Sequence, residues 1–105
     1  RVASRAVAAA LVTYAEQLSQ FVGKKKVRVN AVSPGPIYFE GGAWEMIKGT
    51  QPKFYDWAIK QIPCGRMGTP EEIARVIVFT ASPAASLITG ANIVADNGFT
   101  KRVQL

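Results

Sequence analysis

Few side chains in this sequence can do chemistry unaided. It has no histidine, which excludes imidazole metal ligands and Ser-His or Cys-His nucleophilic pairs within the chain; no metal site is expected. The one cysteine, Cys64, has no partner for an internal disulfide, which fits a reducing, cytoplasmic setting. Glu71 and Glu72 are adjacent acids, but they follow Thr69-Pro70, where carboxylates cap a helix rather than form an acid–base pair. Lys24-Lys25-Lys26 is a short cationic run of the kind that makes a solvated turn. The stretch with most to offer is Ser33-Pro34-Gly35-Pro36. It ends a run of small and β-branched residues (Val27, Val29, Ala31, Val32) suited to a buried strand of a parallel sheet. Pro34 and Pro36 lack an N–H, and Gly35 admits backbone angles closed to other residues. The chain is therefore expected to leave the sheet abruptly here, at the carboxyl end where open α/β sheets bind ligands. The same pattern would equally serve a plain sheet exit.

The elements that must position this exit are legible on either side of it. The chain up to Val22 reads as a helix, rich in alanine and free of Pro and Gly until Gly23. Val7, Leu11, Tyr14, Leu18 and Phe21 mark an apolar stripe. Ala3, Ala6, Ala10 and Val12 spread apolar character around most of the circumference, the pattern of a helix buried on more than one side. A strand is expected over 27–33. Residues 43–62 suggest two short helices, the second opened by Pro52 and stopped by Pro63. Thr69-Pro70-Glu71-Glu72 starts a further helix, expected over 70–81: Thr69 caps, Pro70 fits the first helical position, and Glu72 completes a capping box. Residues 91–95 make a short strand, and Asp96-Asn97-Gly98 is turn chemistry in which Asn97 tolerates a left-handed backbone. The two strands are expected to be parallel neighbours.

Three motifs in order resemble the short-chain dehydrogenase/reductase family. Arg28-Val29-Asn30 with Pro34-Gly35 resembles the stretch that closes over the nicotinamide. Gly65-Arg66-Met67-Gly68-Thr69-Pro70-Glu71-Glu72-Ile73-Ala74 looks like the segment ahead of the family's last long helix. Thr89-Gly90 through Asp96-Asn97-Gly98 is similar to its final strand and turn. The resemblance covers nearly the whole chain, but only the carboxyl-terminal half of the family's domain. It implies an α/β fold: the carboxyl-terminal part of a Rossmann-like, doubly wound parallel sheet, with two parallel strands, two long helices and short lid helices. Residues 1–105 would then form a single partial domain, with a lid segment at about 40–63.

The resemblance also implies roles. Pro34, Gly35, Pro36 and Ile37 would face the cofactor, NAD or NADP in the parent family, with Ile37 contacting the nicotinamide carboxamide through its backbone. Tyr38, Phe39 and Trp44 would belong to the substrate-covering lid; its aromatics either line a substrate pocket or seal the lid to the body. Phe39 stands where the family often has Thr and cannot replace that hydroxyl. Val2-Ala3-Ser4-Arg5-Ala6 matches the core of the family's Tyr-x-Ala-Ser-Lys-Ala. Arg5 stands at the Lys position, where it would keep charge and ribose hydrogen bonds with altered geometry. Arg1 stands at the Tyr position and cannot exchange a proton as a phenol does. The alternative reading of Arg1 and Arg5 is a solvated first turn.

No Gly-rich dinucleotide fingerprint occurs in the sequence: Gly41-Gly42 does not follow a strand at the required spacing, and Gly65 and Gly68 precede a cap. The expected function is therefore the nicotinamide and substrate side of an NAD(P)-dependent oxidoreductase acting on an alcohol or ketone. The 105 residues alone would bind no cofactor and would not be competent. A non-catalytic, oligomerising module derived from that fold is the alternative. The opening Arg1, in place of Met, suggests that something upstream was removed. The net charge of +6 comes from scattered residues without a basic-aromatic platform, so nucleic acid is not expected as a partner. Nor is a membrane, since no apolar run approaches ~20 residues. A homo-oligomer is expected, through the first helix and a strand edge left bare.

Overall fold

The computed structural model describes residues 2–101 and 103. In order they form α1 (Val2–Val22), β1 (Ala31–Pro34), α2 (Ala43–Thr50), α3 (Pro52–Gln61), α4 (Pro70–Ala81) and β2 (Asn92–Ala95), with single-turn helices at Gly23–Lys25 and Pro83–Ala85. β1 and β2 make a two-stranded sheet. The Ala31 N–H donates to the Ala91 carbonyl at 2.9 Å and the Gly35 N–H to the Ala95 carbonyl at 3.1 Å. This constant offset is a parallel register, so the α/β architecture is the one expected. The chain divides into two compact units, Arg1–Ser33 with Ile77–Ile93, and Pro34–Val76 with Val94–Leu105.

In the first unit, α1 is closed by the lysine run, where Lys26 takes a left-handed backbone (φ 59°) and donates its N–H to the Gly23 carbonyl at 2.9 Å. The helix packs through its smallest residues. Ala15 and Ser19 are buried, and Gly90, at φ +71°, comes so near that a Cβ there would stand 2.8 Å from the Ser19 hydroxyl. The apolar stripe lies away from this contact and is uncovered within the chain: Val7, Leu11, Tyr14 and Phe21 are between 62% and 80% exposed. Only short side chains let the helix approach the turn, so the larger ones face outward.

The strand expected over 27–33 is shorter and shifted, and it is half-buried rather than buried, with Val27 49% exposed. Val27–Asn30 spend their hydrogen bonds elsewhere: the Val27 N–H reaches the Val22 carbonyl and the Val29 N–H reaches the Thr89 hydroxyl. Asn30 donates to the Ile88 carbonyl at 2.9 Å and accepts from the Ala91 N–H at 3.0 Å. Beside it, Arg28 donates to the Thr80, Ile88 and Ser82 carbonyls at 2.8, 2.9 and 3.0 Å. The abrupt exit is also corrected, because pairing continues through Pro34 to Gly35. Successive residues of a strand point their N–H groups to opposite sides. The Ala31 and Gly35 N–H groups face β2, so the N–H that Pro34 lacks falls on the other side.

In the second unit, Ala58, Ile62 and Met67 form a buried core, with Tyr38, Trp44, Tyr55, Ile59 and Phe99 packed around it. The rings run on from one another: Trp44 stacks on Phe54 (5.8 Å, 6°), Phe54 on Trp57 (5.7 Å, 21°), and Trp57 meets Phe99 edge-on. The α4 start is the expected capping box, with the Glu72 N–H donating to the Thr69 hydroxyl at 3.2 Å and the Thr69 N–H to the Glu72 carboxylate at 3.0 Å. Arg66 adds a bidentate pair to the same carboxylate at 2.8 and 2.9 Å.

The Arg66 guanidinium, then the Thr69 N–H, lower the Glu72 pKa from 4.5 to about 2. A carboxyl lowered in the folded state stabilises it fully above its unfolded value and loses that contribution as pH falls through the folded one. The stability difference between wild type and Glu72→Gln should therefore be constant above pH ~4.5 and vanish between there and pH ~2. Urea titrations followed by helical circular dichroism across that range measure it.

Candidate functional site

Pro34–Phe39 and Trp44 fall in the second unit, and Arg5 in the first. The Arg5 side chain is exposed on α1; Arg1, at the family's Tyr position, lies outside the described residues. The exit itself is tightly determined. A Cβ on Gly35 would meet the Asp96 Cβ at 2.5 Å and its Cα at 2.6 Å, so only glycine lets β1 and the turn after β2 lie this close. Pro36 is buried. Beyond it the backbone re-engages: Gly68 donates its N–H to the Pro36 carbonyl at 3.0 Å, and Tyr38 donates to the Gly68 carbonyl at 2.9 Å. This is a parallel bridge between Ile37 and Gly68. A Cβ on Gly68 would stand 2.9 Å from the Ile37 Cδ1, the movable end of its side chain, so this approach is less exacting than the one at Gly35.

The bridge has a chemical consequence for Ile37. Its flanking residues supply both hydrogen bonds to Gly68, so its own N–H and C=O point to the opposite side of the strand. One donor and one acceptor, side by side on a fixed backbone, complement a primary amide, which offers one C=O and an NH2. No side chain is required. Ile37, Pro36, Gly68, Val76 and Asp96 also border a cavity of about 390 Å³. Asp96 is an organiser here rather than a free acid: its carboxylate accepts from the Thr100 hydroxyl (2.6 Å), the Thr100 N–H (2.8 Å) and the Gly98 N–H (3.0 Å). Its pKa is lowered, first by the Thr100 hydroxyl. Asn97 takes the left-handed backbone expected of it (φ 55°) and donates to the Cys64 sulfur and, at 3.4 Å, to the Arg66 carbonyl.

Of the residues expected in the lid, Tyr38 and Trp44 pack on the buried core. Tyr38 meets Tyr55 edge-on at 6.2 Å, and both also border a second cavity of about 430 Å³ with Ile59 and Gly65. Phe39 is about half exposed and lies over Gly42, where a Cβ would meet its ring at 2.8 Å. Sequence reasoning missed Gly68 and Asp96 as partners of the exit. The signal for Gly68 was the second glycine of Gly65-Arg66-Met67-Gly68, a position where another backbone can approach closely.

Parallel strands connected through helices, with a turn at their carboxyl ends, are the architecture of part of a Rossmann-like domain. The chain belongs to the short-chain dehydrogenase/reductase family, and residues 3–100 match the family model described as enoyl-(acyl carrier protein) reductase. It is 44% identical over 90 residues to the isoepoxydon dehydrogenase patN of Aspergillus clavatus, covering 86% of this chain and 35% of that protein. The fold is similar to that of YwfH, an NADPH-dependent reductase involved in bacilysin biosynthesis, with a TM-score of 0.78 and 32% identity over 90% of this chain and 38% of that one. It is also similar to the NADPH-bound structure of a Pseudomonas aeruginosa PAO1 short-chain oxidoreductase containing an atypical catalytic center. There the TM-score is 0.78, with 28% identity over 97% of this chain and 40% of that one. The chain thus spans about a third of the length of that curated relative, 35%. Among the described residues no helix is long and apolar enough to cross a membrane.

Proposed function

We propose that this chain supplies the nicotinamide- and substrate-facing part of an NAD(P)-dependent short-chain oxidoreductase that moves hydride between the cofactor and an alcohol or ketone. The observation that carries this reading is the Ile37 backbone, turned away from Gly68 and fixed by the hydrogen bonds on either side of it. It would hold the carboxamide of the nicotinamide, while Pro34, Gly35 and Pro36 shape the wall beside it. The cofactor, when bound, supplies the hydride. Arg5 would stand in for the family's Lys at the ribose. The lid residues Tyr38, Phe39 and Trp44 would cover the substrate. An arginine at the family's Tyr position leaves the usual proton donor unfilled.

The pyrophosphate cradle of a Rossmann domain supplies fixed N–H donors and a helix dipole, and this sequence contains no such fingerprint. Calorimetry on the chain alone should accordingly show no micromolar binding of NAD or NADP. A fusion of residues 6–105 behind the amino-terminal part of a relative, ending in that relative's Tyr-x-x-x-Lys, should bind one of them. The Ile37 amide resonance should shift as it does so. A fusion that folds without binding either cofactor would overturn the proposal, as would micromolar binding to the chain alone.

The exposed stripe of α1 favours a second reading, a non-catalytic module that self-associates through Val7, Leu11, Tyr14 and Leu18 and through the free edge of β1. A stable assembly would bury more than about 1,000 Å². Sedimentation equilibrium of the chain at micromolar concentration should then give a multiple of 11.3 kDa, and a monomer would exclude it.

A further inference from the structure

We propose that Lys48 is a positioning residue that ties the lid helix α2 to the backbone of Ile37; its functional meaning rests on the reading above, its geometry does not. No residue of α2 is buried. Eight residues are too few for a helix to persist in water on its own propensity, so α2 depends on its contacts. Its amino-terminal end is held through the chain itself. The Gly42 N–H donates to the Phe39 carbonyl at 3.0 Å, the Gly41 N–H to the Glu45 carboxylate at 3.3 Å, and Trp44 stacks on Phe54. One turn beyond Trp44, the Lys48 ammonium stands over two rings at once, 5.7 Å from the Tyr38 centroid and 5.3 Å from that of Tyr55. A cation held over aromatic faces is attracted by their quadrupoles, and here it closes α2 down onto Tyr38.

Tyr38 is where this contact meets the exit. Its N–H donates to the Gly68 carbonyl, the bond that turns the N–H and C=O of Ile37 outward. If α2 lifts, the Tyr38 ring loses its cover, and the bridge that orients Ile37 loses one of its supports. Lys48 thus makes the lid's position and the orientation of the amide-holding backbone one equilibrium. A lid that opens would loosen its hold on the cofactor's carboxamide at the same time.

Amide hydrogen exchange on the full chain, compared among wild type, Lys48→Met and Lys48→Arg, tests this without any cofactor. The methionine keeps the length and removes the charge, and the arginine keeps a cation able to stack on both rings. Lys48→Met should speed exchange of the α2 amides and of the Tyr38 amide together, by about two- to fivefold for a surface contact of this kind. Lys48→Arg should restore both, and α1 amides should be unaffected in either variant. Faster exchange in α2 with Tyr38 unchanged would overturn the coupling. Loss of protection that arginine does not restore would overturn the cation as its cause, and no change at either place would overturn both. Because no cofactor enters the experiment, its outcome stands apart from that of the cofactor titrations.

Discussion

Gly35→Ala should destabilise the protein by about 3 kcal/mol, the upper part of the range for forcing an extra group into a packed site. The new methyl would stand 2.5 Å from the Asp96 Cβ and 2.6 Å from its Cα. Neither atom can swing aside, because Asp96 is held by its bonds to Thr100 and Gly98, and because the Gly35 N–H is itself committed to the Ala95 carbonyl. Relief therefore requires the ends of β1 and β2 to part, which breaks the last bond of the sheet. The same substitution at Gly49 makes a control of opposite sign. Gly49 sits in α2 with nothing within 4 Å of an added Cβ. Alanine there should be neutral or stabilise by about 0.5 kcal/mol through lower chain entropy. Urea unfolding of the two variants beside wild type gives both numbers. A Gly35→Ala protein of wild-type stability would mean that the exit is far more plastic than its geometry implies.

Arg28→Met should cost a similar amount, about 3 kcal/mol, for a different reason. Arg28 binds three main-chain carbonyls, and two of them, Thr80 and Ser82, lie at the carboxyl end of α4. Helix-end carbonyls lack partners within the helix and carry the negative end of its dipole, so the guanidinium caps α4 while it ties that helix to the chain before β1. Methionine fills similar space and leaves all three acceptors without their charged donor. Arg28→Lys should recover part of the loss, since an ammonium reaches one or two carbonyls but lacks the planar fork that serves three. Hydrogen exchange adds a spatial check: protection should fall in the last turn of α4 and at Gly90, whose N–H donates to the Val29 carbonyl. Equal stability for arginine, lysine and methionine would show that water satisfies these carbonyls just as well.

The local grammar of the chain was easy to read, and its long-range pairings were not. Pro52 and Pro63 bracket α3, and Thr69-Pro70 opens α4, because proline and capping residues act on their immediate neighbours wherever they occur. Arg28 and Asn30 were visible only as parts of a resemblance, since nothing local tells an arginine that its acceptors lie more than fifty residues away. The packed side of α1 was not legible, because nothing local marks Ala15 and Ser19 as the place where side chains are short enough for Gly90 to come near. At Pro34 the composition was right and its meaning was not: a missing N–H ends a ladder only when it falls on the bonded side. In the candidate site, Ile37 was legible through Pro34-Gly35, but Gly68 was not legible as its partner.

The register of the sheet also sets the order in which the chain can assemble. Val29 meets Thr89 across 60 residues, and all of α2, α3 and α4 lie inside that loop. Closing it carries an entropic cost that no sheet contact offsets until both ends are in place. Helical turns, and the α2–α3 ring contact between Trp44 and Phe54, are local by comparison and can form while the loop is open. During synthesis β1 leaves the ribosome before β2, and the pairing of the two must wait until three helices have been made. By loop closure alone the two strands should meet late, and the Gly35–Asp96 approach, so exacting in the finished fold, should be tested late as well.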